Sequence, residues 1–306
     1  MQMNFNPIED AINIRQSITK PRNLNQLINI IAHRSNNQRQ EILKEYFNKY
    51  QRNLLDDFKS ELSGNFQEAT ISLFYTPVDF DCYQLYKSMK GIGTNEDTLI
   101  EILASRSNER IIEIKKRYPE MYNKNLEKDI QNETSGAFRK ILLKLLEASR
   151  KDTYPNEQEC NENAKRLYDA ALNKKENLYD IFIYIFTEKS REEIAQIAKI
   201  YYKWYSKTLL ELVESLFSGD FKRTLKAIIY SLLSPSEYFA YRINKAVKGF
   251  GTKDNILIRV IVSRDEIDIE RIKRYYKQLY NKDMYDKIKE DVSGDYKNLL
   301  LELIGN

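Results

Sequence analysis

Apolar residues recur at helical spacing along almost the whole chain. Leu99, Ile102 and Leu103 fall on one face of a 3.6-residue period, as do Ile111, Ile114 and Tyr118. No convincing run alternates apolar with polar residues in the way a half-buried strand requires. Punctuation agrees with the periodicity. Thr76-Pro77-Val78-Asp79 and Ser234-Pro235-Ser236-Glu237 read as capping boxes, in which the Thr or Ser hydroxyl bonds a free first-turn N–H and the following proline loses no helical hydrogen bond. Thr94, Ser107 and Ser135 are further helix starts. The pattern predicts an all-α protein of short helices.

The same pattern repeats four times. A Ser-Gly pair that closes a polar stretch and opens an apolar one stands at Ser63-Gly64, Ser135-Gly136, Ser218-Gly219 and Ser293-Gly294, at intervals of 72, 83 and 75 residues. The second unit lies on the fourth without a gap at an offset of 158, which sets Leu99, Ile102, Ser105 and Arg106 on Leu257, Val260, Ser263 and Arg264. The first follows at an offset of 72, with Arg34 under Arg106. The third aligns only in its second half, around Ser190 and Ser218. Five helices per unit give a tail over 1–10, repeats over 11–75 and 76–150, a polar linker over 151–161 containing Pro155, and repeats over 162–233 and 234–306.

Composition removes several functions. The 306 residues carry 49 Lys and Arg against 45 Asp and Glu, a net charge of +4. That suits an acidic membrane surface and falls far short of a nucleic-acid footprint, so no nucleic-acid partner is expected. No stretch approaches the roughly 18 apolar residues that span a bilayer, and Met1–Pro7 lacks the apolar core of a signal peptide. With one histidine, His33, neither a histidine-based zinc site nor a Ser-His-Asp triad is available. Cys82 and Cys160 fit a reducing compartment, as buried or inert thiols.

Candidate chemistry lies in two glycine loops. The second unit reads Met89-Lys90-Gly91-Ile92-Gly93-Thr94 and the fourth Val247-Lys248-Gly249-Phe250-Gly251-Thr252. Glycines one residue apart let the backbone turn so that several carbonyls point one way, and neutral oxygens suit a hard cation such as Ca²⁺. A carboxylate follows at equal distance, Glu133 lying 39 residues past Thr94 and Asp291 lying 39 past Thr252. If helices A and B are antiparallel and helices D and E form a returning hairpin, that acid faces the loop. Carbonyls near Met89, Gly91 and Gly93, closed by a bidentate Glu133, then leave positions open for water or a lipid phosphate. One formal carboxylate makes for weak calcium binding that lipid strengthens, and by linkage each ligand raises the affinity for the other.

Gly91-Ile92-Gly93-Thr94, the run from Leu99 to Arg106, and Glu133-Thr134-Ser135-Gly136 resemble the second repeat of an annexin. Gly249-Phe250-Gly251-Thr252 and Asp291-Val292-Ser293-Gly294-Asp295-Tyr296 resemble a fourth. The resemblance extends from about Asn4 to Ile304. It implies a slightly curved disc of four five-helix repeats, without catalytic activity, whose convex calcium loops bridge to anionic phospholipid headgroups. Carried over by position, the ligands are the carbonyls of Met89, Gly91 and Gly93 with Glu133, and those of Val247, Gly249 and Gly251 with Asp291. Ile92 and Phe250 at the loop tips either dip into the bilayer interface or fold back as loop residues. Lys90 and Lys248 either meet phosphate oxygens or stay solvated.

Two repeats depart from the pattern. In the first, Thr19 and Pro21 replace the glycines although Glu61 remains, and proline lacks glycine's freedom. In the third, Asn173-Lys174-Lys175-Glu176 replaces the loop and Leu216 the acid. Two working sites of four predict a calcium-demanding protein. The expected protein is a cytoplasmic monomer, peripheral on phosphatidylserine-like membranes when calcium rises, acting in membrane organisation or trafficking. The alternative is a calcium-independent scaffold that binds cytoskeletal or other proteins. Trp204 is expected in core or groove packing.

Overall fold

The computed structural model describes residues 5–91, 93–173, 177–249 and 251–305, and among them it holds twenty α-helices and no strand. The helices fall in fives. The first repeat comprises α1 (Pro7–Ile18), α2 (Leu24–Ala32), α3 (Asn36–Tyr50), α4 (Leu54–Glu61) and α5 (Gly64–Phe74). The second comprises α6 (Pro77–Met89), α7 (Glu96–Ser105), α8 (Asn108–Tyr122), α9 (Leu126–Glu133) and α10 (Gly136–Leu146). The third comprises α11 (Glu157–Asn173), α12 (Leu178–Glu188), α13 (Arg191–Tyr205), α14 (Leu209–Leu216) and α15 (Gly219–Leu233). The fourth comprises α16 (Pro235–Val247), α17 (Asp254–Arg264), α18 (Ile269–Tyr280), α19 (Met284–Asp291) and α20 (Gly294–Ile304).

Two compact units emerge from the contacts. One joins the residues up to Phe80 with those from Phe239 onward, and so holds repeats one and four; the other, Asp81–Tyr238, holds repeats two and three. In the first unit α2 packs on α20 and α17 on α5; in the second α7 packs on α15 and α10 on α12. The apolar faces read from the periodicity are interior: Leu99, Ile102, Leu103, Ile111, Ile114 and Tyr118 are at most 2% exposed.

The third helix of every repeat ends alike. Tyr46, Tyr118, Tyr201 and Tyr276 are buried, and each leans on the tyrosine one turn later, Tyr50, Tyr122, Tyr205 and Tyr280, with ring centroids 4.9 to 5.3 Å apart. The next residue, Gln51, Asn123, Ser206 or Asn281, is left-handed and stops the helix. Buried ion pairs tie first helix to second: Arg34 holds Asp10 at 2.6 Å, and Arg106 holds Asp81 at 2.8 Å. Phenylalanine stands at the corresponding acid position of repeat four, so Arg264 lies 4.5 Å over the Phe239 ring and turns to Asp268 instead.

Three boundaries differ from the expectation. Helix α1 begins at Pro7, with Asn6 accepting from Ile8 and Glu9, so the ten-residue tail is already helical in its last part. Helix α11 begins at Glu157, inside the polar linker, because Asn156 caps it through the Glu159 N–H. Helix α7 begins at Glu96 rather than at Thr94: Asn95 is its cap, and the Thr94 hydroxyl is engaged elsewhere. Trp204 is 46% exposed on α13, edge-on to Tyr205, and is not a core residue. Cys82 and Cys160 are buried free thiols, and His33 Nδ1 lies 2.9 Å from the Asn29 carbonyl oxygen, to which it can only donate.

Candidate cation corners

The corner of repeat two begins where α6 ends. The last carbonyls of a helix have no partner within it and carry the negative end of its dipole, so this is a site that favours a cation. Asn95 N–H closes the following loop onto the Ser88 carbonyl at 2.8 Å. Inside the loop Gly91 and Gly93 have φ of +105° and +84°, a conformation side chains rarely adopt. A Cβ at either would meet nothing within 4 Å, so the need for glycine here is conformational and the space beside the backbone is open.

A second helix end arrives at the same point. Glu133 is the last residue of α9, and the Thr94 hydroxyl donates to its Oε2 at 2.7 Å and lies 3.4 Å from its carbonyl oxygen. The structure thus brings Glu133 against the loop that holds Gly91 and Gly93, across 39 residues of chain. Met89 is buried at the end of α6 and Lys90 is exposed, its ammonium 5.6 Å over the Tyr86 ring. Ile92 and Phe250 lie outside the described residues.

Repeat four has the same backbone and a different carboxylate environment. Lys253 N–H closes its loop onto the Ala246 carbonyl at 2.9 Å, and Gly249 and Gly251 have φ of +108° and +80°. Val247 is buried and Lys248 exposed. Thr252, however, donates to Asp254 at 2.9 Å. Asp291, last residue of α19, is held by Lys287 one turn earlier, with Nζ 2.8 Å from Oδ2 and 3.0 Å from Oδ1. The Lys287–Asp291 contact was not foreseen. The signal lay in the alignment, where Lys287 falls on Asp129 at the offset of 158.

Repeat one is closed from within. Arg22 stands where repeat two has Thr94, and its Nη2 donates to Glu61 at 2.9 Å while Nε donates to the Ile18 carbonyl at 3.3 Å. The loop closure is shifted by one residue, Asn23 N–H taking the Ser17 carbonyl at 2.9 Å. Ser17 is the counterpart of Met89. In repeat three the sequence between α11, ending at Asn173, and α12, beginning at Leu178, carries no glycine. Lys174 and Lys175 lie outside the described residues. The nearest acid to Leu216, Glu214, is taken by Lys222 and Lys226 at 2.8 and 2.7 Å, and these lysines hold its carboxyl down at about 2.

Repeats one and four share a cavity of about 410 Å³ in their unit. Its lining residues pair by repeat position at an offset of 230: Arg22 with Thr252, Glu61 with Asp291, Asn65 with Asp295 and Phe66 with Tyr296. Burial and Asp254 together push the Tyr296 hydroxyl far above the usual tyrosine range.

No group of three or more His, Cys, Asp or Glu side chains among the described residues is arranged to hold a metal ion. A cation at these corners depends on backbone oxygen with one carboxylate, which is a hard-ion donor set. Repeat two, with two helix ends, two left-handed glycines and Glu133 at the loop, fits it. Among the described residues no helix is long and apolar enough to cross a membrane.

The annexin family model matches the chain four times, over residues 9–73, 80–145, 162–228 and 238–303. Annexin A4 of Homo sapiens is 38% identical over 303 residues, covering 98% of this chain and 95% of that protein. Annexin A11 of Homo sapiens is 37% identical over 303 residues; the match covers 98% of this chain but only 60% of annexin A11. Among solved structures, calcium-bound annexin (Sm)1 superposes with a TM-score of 0.87 at 30% identity, over 99% of this chain and 91% of that one.

Proposed function

The chain belongs to the annexin family, and from that premise we propose that it is a calcium-dependent, non-enzymatic binder of anionic phospholipid membranes. The observation that carries the reading is the hydrogen bond from Thr94 to Glu133, which joins a carboxylate to a glycine loop at the meeting of two helix C-termini. A relative of the same fold, annexin (Sm)1, has been solved with calcium bound. Bound calcium supplies a compact positive charge that a lipid phosphate can share.

The carbonyls of Met89, Gly91 and Gly93 with Glu133 hold the ion in repeat two. Those of Val247, Gly249 and Gly251 with Asp291 hold it in repeat four. Lys90 and Lys248, both exposed beside these loops, add about 1 kcal/mol each toward an anionic surface. Ile92 and Phe250, the apolar residues between the paired glycines, are the membrane contacts of this reading. The protein is a cytoplasmic monomer that becomes peripheral on anionic membranes when calcium rises, and it serves membrane organisation or trafficking.

Co-sedimentation with phosphatidylserine vesicles across a calcium series tests this. Binding that appears with calcium and reverses with chelator is expected. Glu133→Gln and Asp291→Asn each weaken it and together nearly abolish it with helicity intact, whereas Glu61→Gln, whose acid already serves Arg22, changes little. Binding that ignores calcium would favour a lysine-driven attachment. No binding at all from a folded chain would favour a protein scaffold.

A further inference from the structure

Three corners keep an acid, and each holds it differently. In repeat two Glu133 meets the neutral Thr94 hydroxyl, and among the described residues no lysine or arginine pairs with it. The residue one turn earlier on the same helix, Asp129, is itself acidic and accepts from Tyr118 at 2.8 Å. Repeat one has the same tyrosine–acid pair, Tyr46 donating to Asp57 at 2.6 Å. Repeat four has lost it. The equivalent tyrosine, Tyr276, lies 3.5 Å from Asn244, and the acid position is Lys287, whose ammonium reaches along α19 to both oxygens of Asp291.

Repeat one goes further. The Arg22 guanidinium bridges the Glu61 carboxylate and the Ile18 carbonyl at the end of α1. Those are the two kinds of ligand that a bound ion would draw together, and here the chain supplies the positive charge covalently. The carbonyl equivalent to that of Met89 is meanwhile used by Asn23 N–H. An arginine fork fits a carboxylate well and is always charged, so calcium meets a permanent competitor.

We propose that these internal cations grade the corners: repeat two takes calcium first, Lys287 raises the concentration at which repeat four fills, and Arg22 keeps repeat one closed to calcium. The inference rests on the calcium reading above and names its regulation. A site whose carboxylate is free only part of the time has its apparent affinity reduced by that fraction. Lys287 and Asp291 each leave only about a fifth of the side chain exposed (21% and 22%), and even at the strength of a surface ion pair such a contact corresponds to a factor of about two to five. Replacing the negative Asp129 by a positive side chain one turn from the ligand acts in the same direction.

The test is calcium binding to the full chain by isothermal titration, without lipid. Asp291→Asn leaves repeat two and Glu133→Gln leaves repeat four. The first variant is expected to show a calcium midpoint at least about twofold below that of the second. Adding Lys287→Met to Glu133→Gln lowers its midpoint about two- to fivefold, and adding Lys287→Arg, which keeps the charge, restores the parent value. Thr19→Gly with Pro21→Gly and Arg22→Thr raises the stoichiometry by one ion. Equal midpoints for the two single variants, which do not touch Lys287, would overturn the grading, as would Lys287→Met without effect in a folded chain. An unchanged stoichiometry in the folded triple variant would overturn the role of Arg22. Absence of calcium uptake by the parent chain would instead overturn the function proposed above, and the grading with it.

Discussion

Asp265 follows α17 and is largely covered beside Arg39, whose Nη2 lies 3.8 Å from its Oδ2. Burial pushes its carboxyl up to about 6, with Glu266 adding to the shift and Arg39 and His33 opposing it. The sign follows from linkage. A carboxyl whose folded value lies above its unfolded value of about 3.9 binds its proton more tightly when folded, so its contribution is present below pH 4 and is lost as pH rises through 6. The separation corresponds to about 3 kcal/mol at most. Asp265→Asn removes this dependence. In urea titrations from pH 4 to pH 7, the stability of the parent chain relative to that variant is expected to fall by about 2–3 kcal/mol. A flat difference would mean that Asp265 is not the titrating group.

Single residues also set what the chain did not disclose in advance. Glu133 and Asp291 are candidates because both stand at equal spacing from their loops, a signal that the repeat offset alone carries. Arg22 and Lys287 were visible only as mismatches in that offset. Their meaning needed the side chains in place, since an arginine near a lost glycine loop reads equally well as a solvated cation. The hydroxyl of Thr94 was assigned to a helix start and instead binds Glu133. Asn95 competes for the cap and wins because its carbonyl reaches the Thr98 N–H at 3.1 Å.

At the scale of elements, two kinds of serine open helices here. Ser190 is buried in a capping box: its Oγ accepts from Glu193 N–H at 3.1 Å and donates to the Thr153 carbonyl at 2.9 Å, while Glu193 Oε2 accepts from Ser190 N–H at 2.7 Å. Ser218, in the Ser-Gly pair that opens α15, makes no side-chain cap bond. The Ser-Gly signature therefore marks a turn rather than a hydroxyl cap, with Gly219 at φ +61°. Ser190→Ala is expected to cost about 1–2 kcal/mol in chemical denaturation and Ser218→Ala under about 0.5 kcal/mol. Equal losses would contradict this division. Helix number and order were legible because each repeat needs one apolar face per helix. Helix starts were less so, because Asn6, Asn95 and Asn156 cap where a hydroxyl or proline was the stronger cue.

For the molecule as a whole, the proposed calcium sites fall in different compact units, so on that reading calcium acts on each unit through its own corner. Repeat two lies in the unit Asp81–Tyr238, and repeat four lies in the other. The chain's one tryptophan, Trp204, stands on α13 in the first of these, packed edge-on against Tyr205, so its fluorescence follows that unit alone while far-ultraviolet circular dichroism follows both. A ligand that binds only the folded state at a hundred times its dissociation constant stabilises by about 2.7 kcal/mol, or roughly 5–10 °C in a unit of this size. Calcium should therefore raise the Trp204 melting transition in the parent chain and in Asp291→Asn, and leave it unmoved in Glu133→Gln. The dichroism of Asp291→Asn should retain one calcium-insensitive component. A Trp204 transition that still shifts in Glu133→Gln, and also in that variant with Asp291→Asn added, would place calcium in that unit somewhere other than the corner of Gly91, Gly93 and Glu133. A shift that persists in Glu133→Gln but disappears when Asp291→Asn is added would mean that the two units melt as one.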